Sequence, residues 1–497
     1  MKDFGLFIDG QWRAARSGRV APTINPATEE PWAHVAAAGR EDVDDAVAAG
    51  RRAFEKSGWR EKPAVEKANI LREIAGVIFA RSDELALLEV QDGGGPIRKA
   101  NMADIPATAQ TFMEYAAILE AMVEEEVHEE SVPVPSRNLI RKEPLGVCGC
   151  ILPWNFPMAA ASWKIAPAIA AGNSVVVKPS PYTPVSTLAL AEICTQAGVP
   201  AGVINVVTGP EPDLGAALVA HPGIAKISFT GSTAVGKRVM EAAAGQLKKL
   251  TLELGGKSPN IILEDADLEC AARGALFATF FHGGQVCESG TRVLVPAKLH
   301  DQFVDLMVAG SKGIKVGDPM DPETTMGPLI SKAQLDNVRR YVGLGLEQGA
   351  KIRLGGNRPA GLDKGYYFEP TIFVGARNDM RICQEEIFGP VVSILPYKTE
   401  EEALAIANDT SYGLGAAVWS RDTARALGLA RRIEAGTVWV NDYHLINPKF
   451  PFGGYKQSGF GRELGPWGLA EYQQLKHIHV GEPATVDEKF YFSLLLG

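Results

Sequence analysis

The sequence predicts an α/β protein with a doubly wound, Rossmann-like first unit, a second α/β unit and a small strand-based element outside both. Three observations predict it. After Gly146, short apolar runs alternate with helical stretches, the pattern of a parallel sheet covered on both faces. A second alternation runs from Lys257 to about Lys456. Between the helical N-terminal part and the first alternation lies an acidic, proline-bearing segment that reads as an exposed strand pair. At 497 residues the chain has room for two to four domains, and 46 % hydrophobic content describes an ordinary globular protein.

Residues 1–35 alternate short apolar pairs with turn residues and read as irregular strands or a hairpin. From 41 to about 121 the period becomes helical: Ile70, Leu71, Ile74, Val77 and Ile78 recur at three- and four-residue steps. Gly93-Gly94-Gly95-Pro96 breaks that layer. Acidic 124–130 and the stretch SVPVPSRNLIRKEP then form the expected strand pair, a solvated linker being the alternative. GVCGCIL begins the first alternation, followed by a helix over 156–171, the strand SVVVKPS, a helix over 183–197, GVINVVTG, a helix over 213–220 and AKISFTG. In the second unit, strands are expected at RVLV, YYFEPTIF and VVSILPY, with helices over 333–348 and 400–408. The tail EKFYFSLLLG is apolar, and we expect it to pack on a neighbouring subunit.

A formal charge of −9 offers no basic stripe for nucleic acid. The six cysteines are too sparse for a disulfide scaffold and point to a reducing compartment. Cys148 and Cys150 are spaced for alternation on a buried strand, not for a redox pair. His477 and His479 share a strand face without further ligands nearby, so no metal is expected. The N-terminus lacks the apolar run of a secretory signal, and Pro153, Asn155 and Pro157 interrupt the uncharged stretch 145–163, so no membrane span is expected. The protein is expected to be cytoplasmic.

Candidate chemistry concentrates in residues 251–292. Glu253 precedes Gly255-Gly256, and Cys287 follows Gly283-Gly284. A cysteine just past paired glycines can be reached by a small substrate and by backbone N–H groups, as thiolate attack on a carbonyl requires. Inert packing of the thiol is the alternative. The acid has the chemistry of a general base for water. Further on, Gly231-Ser232-Thr233-Ala234-Val235-Gly236-Lys237 resembles a P-loop, but Arg238 stands where magnesium needs a hydroxyl. A turn facing a pyrophosphate with a helix N-terminus and a purely structural turn both remain open.

LELGGKSPNI and FFHGGQVCESGTR resemble the two signature stretches of the aldehyde dehydrogenase superfamily. WNFP, FTGSTAVG, EEIFGP and PFGGYKQSGFGRELG follow in the family's order, so the resemblance runs from about Phe7 to about Lys476. It implies a hydrolytic, NAD(P)-dependent oxidation of an aldehyde to a carboxylic acid. Cys287 would be the nucleophile, Asn155 and the Cys287 N–H the oxyanion donors, and Glu253 the base that hydrolyses the thioester. Lys164 and Glu463 match positions that pass the proton outward, with an ion pair as the simpler reading. Trp154, Lys178, Ser180, Gly231, Ser232, Gly236, Leu254, Glu386 and Phe388 match cofactor contacts. The resemblance assigns 1–122 and 145–256 to a cofactor-binding domain, rejoined by 457–471, and 257–456 to a catalytic domain. It assigns 123–144 and 472–497 to an oligomerisation element and tail, hence a homodimer or homotetramer.

Three positions depart from the family pattern. His282 stands where the second signature commonly has asparagine. Pro181 replaces the glutamate that binds the ribose hydroxyls, which removes a charge repelling a 2′-phosphate while Lys178 stays to attract one. NADP is therefore expected to serve alone or alongside NAD. Glu288 follows the nucleophile directly; it should disfavour the thiolate unless it points away or pairs with a cation, and should favour neutral aldehydes over acidic ones. Trp163 and Met113 are candidates for the substrate tunnel, with core packing as the alternative. A coenzyme A-acylating enzyme and a catalytically silent binding protein are the rival readings of the same fold.

Overall fold

The computed structural model describes residues 2–132, 134–481 and 485–496. Pro133 of the acidic strand pair, and residues 482–484 and Gly497 of the tail, lie outside the described residues.

Strand Val147–Ile151 is buried on both faces apart from its last residue, as suits a parallel sheet covered by helices. Cys148 and Cys150 alternate along it, and burial pushes the Cys150 thiol up to about 11, so neither is a poised redox thiol. The parallel core of this sheet runs Lys249–Glu253, Lys226–Thr230, Val147–Ile151, Ser174–Lys178, Ile204–Val206. Its first strand in sequence lies in the middle. The chain order therefore reverses between Val147–Ile151 and Lys226–Thr230, where connections diverge and leave a crevice beyond the carboxyl ends. The antiparallel pair Leu6–Ile8 and Gln11–Arg13 closes one edge, and Gly459–Phe460 pairs with Leu252 and Glu253 at the other.

The second sheet has seven strands, in the order Lys351–Leu354, Thr371–Val374, Val391–Tyr397, Arg292–Pro296, Pro259–Ile262, Gly415–Trp419, Thr437–Val440. Only the first pairs antiparallel. The strand expected across YYFEPTIF covers only Thr371–Val374. The preceding backbone bonds to loops instead: Tyr366 N–H donates to Pro26 at 3.1 Å and Glu369 N–H to Asn357 at 3.0 Å. Helices Lys332–Glu347 and Glu400–Asn408 start behind Ser331 and Thr399, whose hydroxyls accept from the third residue on.

Helices Arg40–Lys56, Ala64–Ala80, Ser82–Gly93 and Ile105–Ala121 form the N-terminal layer. A single π-helical turn, Ala100–Asp104, precedes the last of them and turns Met102, Ala103 and Asp104 toward the main cavity. Asp104 pairs there with Lys99 at 2.7 Å, both buried. A third sheet joins Glu125–Glu130, Ser136–Pro144 and Gln473–Gly481, all antiparallel, with Val127 and Leu475 exposed. His477 and His479 both lie within hydrogen-bond reach of Asn138 Oδ1, at 2.8 and 3.0 Å. Among the described residues, no helix is long and apolar enough to cross a membrane, and no three or more His, Cys, Asp or Glu side chains are grouped to hold a metal ion.

Candidate active site

The carboxyl ends of the first sheet deliver most of the residues singled out in the sequence. Trp154 and Asn155 follow Val147–Ile151, Lys178 ends its strand with Ser180 just beyond, Gly231 and Ser232 follow Lys226–Thr230, and Glu253 ends Lys249–Glu253. Cys287 comes from the second unit, in the loop between helix Leu268–Phe280 and strand Arg292–Pro296. That helix begins where it does because Asp267 accepts from Cys270 N–H at 3.1 Å.

The loop carrying Cys287 depends on three successive left-handed residues, His282, Gly283 and Gly284, at φ of 52°, 63° and 70°. Histidine and asparagine both tolerate that region better than most residues, which explains how His282 can stand where asparagine is common. Gly284 has no such latitude: a Cβ there would lie 2.1 Å from the Gly389 carbonyl oxygen. Across the interface, a Cβ on Gly256 would lie 2.4 Å from the Cys287 carbonyl oxygen, so the glycine pair after Glu253 lets the two units close on the thiol. His282 is buried and packs against Phe156 at 5.5 Å; burial, then the Lys99 charge, holds it neutral.

A cavity of about 360 Å³ is lined by Asn155, Glu253, Leu254, Cys287, Glu288 and Glu463 among others. Phe156, Trp163, Phe281, Phe452 and His444 supply its aromatic wall. Met113 does not reach this wall; it lines an adjoining outer hollow with Leu445 and Ile446, so only Trp163 of the two tunnel candidates borders the cavity. The Asn155 amide donates to the Gln285 carbonyl at 2.9 Å, which fixes its orientation and leaves its second N–H. Burial, followed by the Glu288 charge, pushes the Cys287 thiol well above its ordinary pKa. Glu253 is buried with neither carboxylate oxygen hydrogen-bonded, and burial together with the Glu463 charge pushes its carboxyl well up.

Glu463 also lines the cavity and forms a buried ion pair with Lys164, which lies behind the wall. Lys164 donates to Ser228 Oγ at 3.0 Å, and Ser228 in turn donates to Glu463 at 3.3 Å. Glu288 does not point away from the thiol. One of its oxygens accepts from Cys287 Sγ at 3.1 Å, and the other lies 3.0 Å from His444 Nδ1. Burial alone would raise this carboxyl, but the His444 hydrogen bond and charge and the thiol bond hold it below the usual range. His444 has no motif around it, and nothing in its sequence position links it to Glu288.

The crevice at the chain reversal is lined differently. Glu386 is half-buried and accepts from Gly256 N–H at 3.1 Å, and desolvation pushes its pKa up to about 7. Trp154 meets Phe388 edge-on at 5.1 Å, with Phe388 held at a φ of 57°. Ser232 caps helix Thr233–Ala244 by accepting from Val235 N–H at 3.4 Å. Gly231 and Gly236 lack side chains for packing reasons, because a Cβ would lie 2.6 Å from the Phe229 ring and 2.5 Å from Leu254 respectively. Lys178 is buried, donates to the Pro179 carbonyl at 3.2 Å, and has its pKa lowered by burial to about 8. Ser180 Oγ accepts from Tyr182 N–H at 3.3 Å.

A thiol, an amide and a buried carboxylate on one cavity, beside a doubly wound crevice, have the parts of a cysteine-dependent oxidoreductase. The model of the aldehyde dehydrogenase family matches residues 12–478, and the chain belongs to that family. It is an NAD(P)-dependent enzyme that oxidises an aldehyde to a carboxylic acid. The chain is 47 % identical to the betaine aldehyde dehydrogenase of Bacillus subtilis, over 97 % of this chain and 98 % of that protein. It is 43 % identical to a chloroplastic aminoaldehyde dehydrogenase of Arabidopsis thaliana, over 95 % of each. Among solved structures, the NAD+ complex of an aldehyde dehydrogenase from Bacillus cereus superposes with a TM-score of 0.94 at 44 % identity, covering 97 % of both chains. The NAD+ complex of betaine aldehyde dehydrogenase from Staphylococcus aureus gives 0.94 at 40 %, covering 97 % of this chain and 96 % of the other.

Proposed function

We propose that Cys287 attacks the aldehyde carbon and carries the acyl group as a thioester that Glu253 hydrolyses through water. The observation that carries this is the meeting of Cys287, Asn155 and Glu253 on one cavity wall, from two units of the chain. The free N–H of the Asn155 amide and the Cys287 backbone N–H meet the oxyanion. Burial and the Glu463 charge raise the Glu253 carboxyl, which makes it a stronger base toward water, and the Glu463–Lys164 pair takes the proton outward. Release to coenzyme A has no support from the relatives named above, and a buried base without hydrogen bonds is not needed for it. With Glu463→Gln, the first turnover should keep its rate while steady-state turnover falls; equal loss in both would remove Glu463 from the proton path.

The crevice fits a nicotinamide dinucleotide, because the Glu386 carboxylate rests over bare backbone at Gly255 and keeps acceptor capacity beyond its bond to Gly256. When bound, the cofactor supplies the hydride acceptor. Glu386 and Phe388 would hold the nicotinamide ribose and ring, the N-terminus of helix Thr233–Ala244 with Gly231, Ser232 and Gly236 the pyrophosphate, and Lys178 the adenine ribose, with Trp154, Ser180 and Leu254 completing the walls. With Pro181 in place of a carboxylate, NADP serves alone or alongside NAD. Comparing kcat/KM for the two cofactors tests this, and a strong NAD preference would refute it.

The aldehyde is one without a carboxylate, neutral by preference. Glu288 is paired with His444 and Asp104 with Lys99, so among the described residues the wall carries no free cation to receive an acid. A second reading is favoured by Phe156, Trp163, Phe281 and Phe452, whose faces also suit an ammonium-bearing aldehyde of the kind the named relatives' names describe. Relative kcat/KM for hexanal, betaine aldehyde and succinic semialdehyde decides between them; a preference for the semialdehyde would defeat both. The protein works as a cytoplasmic homodimer or homotetramer assembled through the three-stranded sheet.

A further inference from the structure

We propose that Glu288 is the base that takes the thiol proton of Cys287, with His444 as the positioning residue that makes it competent. The inference rests on the reading of Cys287 as the nucleophile. Cys287 Sγ lies 3.1 Å from Glu288 Oε2, Glu288 Oε1 lies 3.0 Å from His444 Nδ1, and His444 Nε2 lies 3.0 Å from the Ala278 carbonyl oxygen. A carbonyl only accepts, so Nε2 carries hydrogen. A neutral ring would then present a bare Nδ1 to a carboxylate, lone pair against lone pair. The pair therefore holds one more proton, as imidazolium with carboxylate or as imidazole with carboxylic acid. In the first form Oε2 is free to accept the thiol proton.

The site is built for this pairing. Gly415 makes room, since a Cβ there would lie 2.9 Å from the Glu288 Cβ. His444 is held at a φ of 61° and packed edge-on against Tyr443 at 4.8 Å and Phe277 at 5.3 Å. The Tyr443 hydroxyl donates to the Glu288 backbone oxygen at 2.7 Å, leaving the carboxylate to the thiol and the ring. Glu253 and Glu386 also bear on the thiol by charge, but Glu253 makes no hydrogen bond and Glu386 accepts from Gly256 N–H, whereas Glu288 accepts from the thiol itself.

The step conserves charge. The S–H bond breaks and an O–H bond forms on Glu288, so thiol, carboxylate and imidazolium become thiolate, carboxylic acid and imidazolium, with the net charge of the trio unchanged. The thiolate then forms the bond to the aldehyde carbon. When water later displaces sulfur from the thioester, the departing thiolate recovers the proton from Glu288, and Glu253 keeps the proton of water. A buried cluster tolerates such an exchange far better than one that creates net charge. Between turnovers sulfur stays a thiol.

The test compares parental protein with Glu288→Gln and His444→Phe by rapid mixing, following the first-turnover burst of reduced cofactor. It also follows iodoacetamide alkylation of Cys287 without cofactor from pH 6 to 10. Glu288→Gln should slow the burst by about 100-fold near pH 7.5 and turn the alkylation profile into a single thiol titration. His444→Phe should slow the burst by at least about tenfold. A Glu288→Gln burst at or above the parental rate would overturn the proposal, because Glu288 would then only oppose the thiolate; an unchanged His444→Phe burst would remove His444 from it. Should Glu288→Gln fail to fold, Glu288→Ala with added formate replaces it: formate should restore the burst, and no restoration counts against the base. The parental burst tests the thioester reading alone, which keeps the two failures separable.

Discussion

Lys178 shows how one side chain can be read against its surroundings. Burial lowers its pKa to about 8, so it is charged below that pH and loses its charge above it. A 2′-phosphate gains from that charge and a ribose hydroxyl gains little. The KM for NADP should therefore rise several-fold relative to that for NAD between pH 7 and 9; a ratio flat across that range would detach Lys178 from cofactor choice. For Glu253 the sign runs the other way. Its carboxyl is raised, so the base form is lost as pH falls, and hydrolysis should climb with pH through a value above the ordinary carboxylate range. Asn155→Ala should lower kcat by about 10²–10³-fold with little change in stability. A loss that tracked a fall in thermal midpoint would make the amide a structural group instead.

At the scale of elements, what could be read from the sequence was what neighbouring residues impose on one another. Alternation identified parallel strands such as Val147–Ile151 and Arg292–Pro296 but missed Lys249–Glu253, Pro259–Ile262, Gly415–Trp419 and Thr437–Val440, and paired glycines flagged both Glu253 and Cys287. The structure gives the reason: a Cβ at Gly256 would meet Cys287, and one at Gly284 would meet Gly389. Gly284→Ala must also hold a φ of 70°, so it should cost roughly 1–3 kcal/mol of stability and most of the activity, readable in a denaturant titration. Relations across space were not legible. His444 meets Glu288 from 156 residues away, and no local pattern marks such a partner. YYFEP looked like a strand because its residues favour one, yet its backbone bonds went to loops.

For the whole molecule, two α/β units close over one cavity while a third, exposed sheet ties Gln473–Gly481 to Ser136–Pro144, far back in the chain. Val127 and Leu475 on that sheet, and Leu494 and Leu495 in the tail, are left largely exposed, which a second copy of the chain would cover. Removing residues from Asp487 onward should lower the solution mass or the thermal midpoint. Unchanged values for both would confine assembly to the sheet.

The proposed mechanism requires that sulfur at position 287 hold the acyl group. Rapid acid quench of the Glu253→Gln protein with aldehyde and cofactor, followed by mass spectrometry of its peptides, tests it most directly. About one acyl adduct per chain is expected, on the Cys287 peptide and matched by one equivalent of reduced cofactor. Reduced cofactor without an adduct there, or parental aldehyde oxidation by Cys287→Ser, would contradict it.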